Sequence, residues 1–91
     1  MAHLLSEGEV IDMTLDALWQ PQAFIWNSQC FLIRHISERW LVQTDFWSEQ
    51  GEVSREYVKL TAWNERAKSE VLCEVYLDLI EEVWFLSCVY D

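Results

Sequence analysis

A mainly β fold is predicted for this chain: an antiparallel meander of five or six strands, forming a curved sheet or small open barrel, with at most one short helix. Three observations carry the prediction. Residues 57–63, Tyr-Val-Lys-Leu-Thr-Ala-Trp, place small or apolar residues at every second position, the period of a half-buried strand. Residues 22–26 and 29–36 are two β-prone runs separated by Asn27-Ser28, the spacing of a two-residue hairpin. The last third is rich in Val, Tyr, Trp and Phe, which suit a pleated surface better than a helix.

In chain order, residues 1–8 read as a loose start and residues 9–91 as one small β domain. Residues 9–13 are short enough for a strand, and residues 15–20 lead into Pro21. In the hairpin, Asn27 tolerates the left-handed backbone that a tight turn needs. Trp26 then falls opposite Gln29 and Phe24 opposite Phe31, so Phe24, Trp26, Phe31 and Ile33 share one face, which is the expected core. Residues 37–42 either extend the second strand or make a helical turn, and any helix is confined to residues 37–44 or the N-terminus. Residues 43–52 read as a loop carrying Phe46, Trp47 and Gly51. In residues 53–63, Val58, Leu60 and Ala62 take one side, and Tyr57, Lys59, Thr61 and Trp63 the other.

The last third has two readings. Val71/Leu72, Val75/Tyr76, Leu79/Ile80 and Val83/Trp84 recur every four residues, as on an amphipathic helix opening after Asn64. Such a helix would stack Glu70, Glu74, Asp78 and Glu82 at i,i+4 without a basic partner, each pair costing a few tenths of a kcal/mol. A hairpin turning through residues 79–82 instead sets Leu77 opposite Trp84, Val75 opposite Leu86 and Cys73 opposite Cys88, an all-apolar face. The residues favour the hairpin.

Ninety-one residues make a single core, which excludes a two-domain enzyme. With 52% hydrophobic residues, two Gly and one Pro, the chain is neither disordered nor low-complexity. Sixteen Asp and Glu against six Lys and Arg give a net charge of −10, which opposes nucleic-acid binding and favours a cationic or apolar partner. Every basic residue lies between Arg34 and Lys68, so convergence of Arg34, Arg39, Arg55 and Lys59 would make the middle of the molecule locally basic. No basic leader and no run of roughly 20 apolar residues is present, so the expectation is a cytoplasmic protein without a membrane span. Three cysteines without Cys-x-x-Cys spacing, Cys30, Cys73 and Cys88, read as buried free thiols.

Six Trp, three Tyr and four Phe are the most unusual feature. Most are expected to fill a small core. Trp40, Phe46 and Trp47, in a turn-rich region, either fold back as a lid or are exposed to a partner. His35 has only Glu38 and Arg39 nearby in sequence and reads as an ordinary strand residue. Glu81-Glu82 read as solvated turn residues. No nucleotide-binding, nucleophile-elbow or metal-ligand spacing occurs, so no catalytic residue, cofactor or metal is expected.

The ending, Glu74-Val75-Tyr76-Leu77-Asp78 and then Val83-Trp84-Phe85-Leu86-Ser87-Cys88-Val89-Tyr90-Asp91, resembles the close of a small bacterial family of unknown function that ends in a Trp-containing strand and Val-Tyr-Asp. Pro21, Phe24-Ile25-Trp26, Trp40, Phe46-Trp47 and Arg55-Glu56-Tyr57-Val58 follow that family's order, so the resemblance covers about residues 9–91. Leu77, the Asn27-Ser28 turn and the paucity of Arg depart from its pattern. The resemblance implies strands at the C-terminus and, because members are often encoded beside or fused to error-prone translesion-type DNA polymerases, a role in damage tolerance. No catalytic residues are known for the family, so none carry over. The leading expectation is therefore a non-enzymatic protein-interaction module contacting its partner through Trp40, Phe46, Trp47 and Tyr57. The alternatives are a nucleic-acid contact through Arg34, Arg39, Arg55 and Lys59 with stacking aromatics, and homo-oligomerisation through an exposed strand edge.

Overall fold

A computed structural model describes residues 2–44 and 53–90, and of residues 2–7 the backbone alone. Its strands are β1 (Ala2–Val10), β2 (Asp12–Leu15), β3 (Pro21–Trp26), β4 (Gln29–Thr44), β5 (Val53–Asn64), β6 (Ser69–Asp78) and β7 (Val83–Tyr90). They form one antiparallel sheet of seven strands in the order β1-β7-β6-β5-β4-β3-β2. The two outer strands are consecutive in the chain, separated only by Ile11. Ile11 donates its N–H to the Trp84 carbonyl at 3.1 Å, and the next residue, Asp12, already opposes Ile25 of β3. One extended segment thus leaves β7 and joins β3, which requires the sheet to curl into a half-barrel. A hydrogen bond from the Trp26 indole to the Glu9 carboxylate ties β3 to β1 across the same closure.

The strand count exceeds the predicted five or six because of this first segment. Residues 2–8, read from sequence as a loose start, belong to β1, whose residues 2–4 pair with β7 ahead of a register shift that ends at Glu9; the predicted 9–13 strand is divided at Ile11 between two neighbours. No helix occurs among the described residues, and residues 37–44 extend β4 because β5 offers a partner along their whole length, to Thr44 opposite Val53.

The inner face holds the core. Val58, Leu60 and Ala62 of β5 are fully buried, with Ile11, Phe24, Phe31, Cys73, Val75 and Leu86 packed around them. The β3–β4 hairpin has the predicted register, Trp26 opposite Gln29 and Phe24 opposite Phe31, whose rings stack at 4.9 Å. Asn27 and Ser28 take positive φ, 52° and 61°, as a two-residue turn of this kind demands. Two bulges in β4, between Ile33 and His35 and between Ile36 and Glu38, let both Ile33 and Ile36 face inward, where strict alternation would have turned Ile36 out. The second bulge restores the alternation, leaving Arg39 opposite the buried Val58 and Trp40 opposite Tyr57.

The C-terminal third is the predicted hairpin, with Leu77 opposite Trp84 and Val75 opposite Leu86. The expected Cys73–Cys88 pairing is corrected by one residue. A bulge between Glu74 and Val75 sets Cys73 opposite Val89 and Glu74 opposite Cys88. Ser87 is the additional residue, and its hydroxyl donates to Glu74 at 3.2 Å. Cys73 and Cys88 are buried free thiols as expected, whereas Cys30 is exposed.

Candidate interaction surface

On the outer face the strand registers line up one aromatic residue from each of four neighbouring strands. Trp40 (β4) lies opposite Tyr57 (β5), Tyr57 opposite Tyr76 (β6), and Tyr76 opposite Phe85 (β7). The ring centroids are 5.4, 5.1 and 5.0 Å apart, with Trp40 stacked on Tyr57 at 5° and Tyr76 stacked on Phe85 at 18°. Cross-strand aromatic pairs of this geometry add about 0.5–1.5 kcal/mol each beyond the area they bury. Tyr76, in the middle, is buried, and burial pushes its hydroxyl pKa up. At the β4 end the row runs out to the rim of the sheet.

Three of the four predicted cations share this face, each over a ring. The Arg34 guanidinium stands 5.4 Å from the Trp63 ring, Arg55 4.7 Å from Tyr76, and the Lys59 ammonium 5.1 Å from Tyr90. Arg55 Nη1 also donates to the Tyr57 hydroxyl at 3.4 Å, and that bond holds its pKa above the ordinary value against the opposing effect of burial. Acids sit among these cations: Arg55 opposes Asp78 across the ladder, and Lys59 lies between Glu38 and Glu74. Arg39 is apart from the other three. It shares the inner side with Val58, forms an ion pair with Glu56 at 3.8 Å, and hydrogen-bonds the Gln20 side chain.

The Arg39–Gln20 bond brings the turn at residues 16–20 beside β4. Asp16 Oδ1 closes this turn by accepting from the Leu18 and Gln20 amides at 2.8 and 3.0 Å. Leu18 and Trp19 project from it, 77% and 79% exposed, and Trp19 holds a positive φ of 63°. Next to Arg39, Leu41 is 55% exposed and, with Arg39, Trp40 and Glu56, lines an open hollow of about 310 Å³. Of the predicted contact residues, the fold therefore brings Trp40 and Tyr57 together; Phe46 and Trp47 lie outside the described residues. Leu18, Trp19 and Leu41 are additions. The signal for the first two was an apolar pair in a segment flanked by Asp16 and Pro21, a pairing more typical of a turn than of a core strand.

The inner face carries a second, apolar hollow of about 130 Å³ lined by Phe24, Trp26, Phe31, Val71, Cys73, Leu86 and Val89, with the amides of Gln29 and Asn64 hydrogen-bonded to each other at 2.7 Å. Burial raises the Cys73 pKa from 9.0 to about 12, so at neutral pH it is a thiol rather than a nucleophilic thiolate. His35 lies exposed on β4 opposite Thr61. Among the described residues no three of His, Cys, Asp and Glu gather where they could hold a metal ion, and no helix is long and apolar enough to cross a membrane.

Comparisons with protein-family models, with curated proteins and with solved structures return no match to this chain.

Proposed function

We propose that this chain is a non-enzymatic protein-interaction module whose contact surface lies on the β4–β5 rim around Trp40 and Tyr57. The observation that carries the proposal is the concentration of accessible apolar groups there. Trp40 is stacked on Tyr57, Leu41 is more than half exposed, and the Leu18-Trp19 turn is tethered to β4 through Gln20 and Arg39. Exposed Trp and Leu beside polar groups are the usual composition of an interface centre. Phe46 and Trp47 belong to the same proposed contact. The resemblance stated above makes a translesion-type DNA polymerase of a bacterial cytoplasm the proposed partner.

Affinity capture from bacterial lysate, with and without nuclease and at two salt concentrations, tests this reading. Recovery of such a polymerase by the unaltered chain, resistant to nuclease and salt and lost in Trp40→Ala with the fold intact, is the expected result. Retention of the partner by Trp40→Ala and Trp47→Ala alike overturns the site.

A second reading, contact with a nucleic acid, draws on the three cations that sit over rings on one face. It predicts binding that falls steeply with salt. The acids opposite Arg55 and Lys59, and the placement of Arg39 on the other side, favour the protein partner.

A further inference from the structure

We infer that the apolar hollow on the inner face binds a small neutral aromatic molecule, its ring held against Phe24, Trp26 and Phe31 and its carbonyl oxygen accepting from the Gln29 side-chain amide. The inference is independent of the contact surface on the β4–β5 rim, and either can fail without the other.

The first support is size and lining. The hollow measures about 130 Å³, close to the roughly 150 Å³ of an apolar cavity that stays dry and admits benzene. A single substituted ring fits this space, whereas a long acyl chain or a dinucleotide does not. Two aromatic planes bound it: Phe24 and Phe31 stack at 4.9 Å with 10° between their rings, and Trp26 is tilted 43° to Phe31. A flat ligand ring thus meets one face and one tilted neighbour, the two arrangements in which ring pairs attract. Val71, Leu86 and Val89 add aliphatic groups, and none of the residues that line the hollow is charged. An ionised ligand would lose its hydration there without gaining a counter-charge.

The second support is a hydrogen-bond donor left over in this lining. Asn64, 6% exposed, accepts the Arg66 and Ala67 amides on Oδ1 at 3.0 and 3.1 Å, which fixes its Nδ2 as the donor to Gln29. Gln29 Oε1 is therefore the acceptor of that 2.7 Å bond, and Gln29 Nε2 is left without a partner among the described residues. The walls are fixed before any ligand enters: the Trp26 indole is held by Glu9, Asn64 by its own turn, and Gln29 by Asn64. A preformed apolar site with one placed polar group is the usual build of a small-molecule site, and here that group selects a ring carrying an acceptor.

The test titrates the isotope-labelled full chain with acetophenone, with α-methylstyrene, which has the same shape but a methylene in place of the carbonyl oxygen, and with benzoate, followed by methyl and side-chain amide NMR. We expect acetophenone to shift the Val71, Leu86 and Val89 methyls and the Gln29 side-chain amide saturably, with a Kd of about 0.1–1 mM, and benzoate to shift none of them. Gln29→Met, which keeps the side chain's shape but lacks the donor, should weaken acetophenone about threefold to tenfold and leave α-methylstyrene unchanged. Val71→Phe fills the hollow and should abolish binding of both, with the Val58 and Leu60 signals reporting an intact core; if that variant does not fold, the Gln29→Met comparison decides. No saturable shift at the lining residues up to the solubility of acetophenone, shifts confined to the Trp40–Tyr57 rim, or undiminished binding to a folded Val71→Phe overturns the site. Equal effects of Gln29→Met on the two ligands overturn the assignment of the donor and with it the ligand class.

Discussion

Gly8 holds a φ of +73°, and a Cβ built there would come within 2.8 Å of the Tyr76 hydroxyl and 3.4 Å of the Phe85 Cβ. Gly8→Ala would meet strained backbone and a stacked ring pair together, and should cost about 1–3 kcal/mol in urea unfolding. Trp19 is the converse case. It bears a large side chain at φ 63° while burying little of it, so Trp19→Gly should leave stability unchanged or raise it by up to about 1 kcal/mol, while weakening any partner that uses the turn. Cys73 contributes to the alkaline limit of stability, alongside Tyr76 and Tyr90, whose pKa values burial also raises. The folded state keeps its thiol protonated to about pH 12 and the unfolded chain releases the proton near 9.0, so this contribution is complete below pH 9 and is lost as pH rises from 9 toward 12. Replacing Cys73 with Ala should flatten that alkaline loss in a pH series of unfolding curves, whatever it does to stability at neutral pH.

At the β6–β7 turn, Asp78 Oδ1 accepts from the Ile80 and Glu81 amides at 2.9 and 3.1 Å, and the Glu82 amide returns to the Asp78 carbonyl at 2.7 Å. Asp78→Ala should therefore destabilise by about 1 kcal/mol and loosen the hairpin register, read as faster exchange of the β7 amides. β5 is the central strand and its burial alternates from Tyr57 to Asn64, with Val58, Leu60 and Ala62 fully buried. Leu60→Ala should cost about 2–5 kcal/mol, a large share of the stability of a domain this size. β4 behaves differently because its two bulges change which residues face inward. The same strand supplies core residues near Ile33 and, around Trp40, the rim proposed as the contact surface.

Closure of the half-barrel depends on one buried residue between two strands. Ile11 is 4% exposed and carries the chain from β7 to β3. Ile11→Ala removes core volume where the two ends of the sheet meet, and should cost about 2–5 kcal/mol. Its amides in β1 and β2 should lose protection before those of β5. A net charge of −10 on 91 residues adds self-repulsion, so raising sodium chloride should raise Tm through screening. The same charge favours a cationic or apolar partner surface.

The local chemistry of this chain was legible in its residues. Asn27-Ser28 set the first hairpin, the alternation of residues 57–63 set the faces of β5, and the acids at four-residue spacing with β-prone neighbours favoured a C-terminal hairpin over a helix, which the strands β6 and β7 bear out. Stacking of Trp40 on Tyr57 was not legible, because it depends on two bulges whose positions follow from how Ile33 and Ile36 pack inward. Nor was the one-residue slip at Cys88, which a Ser87 bulge absorbs. The role of residues 2–8 was decided at the largest scale. A strand's partners are distant in sequence, and only closure of the sheet determines which edges are paired and which stay open.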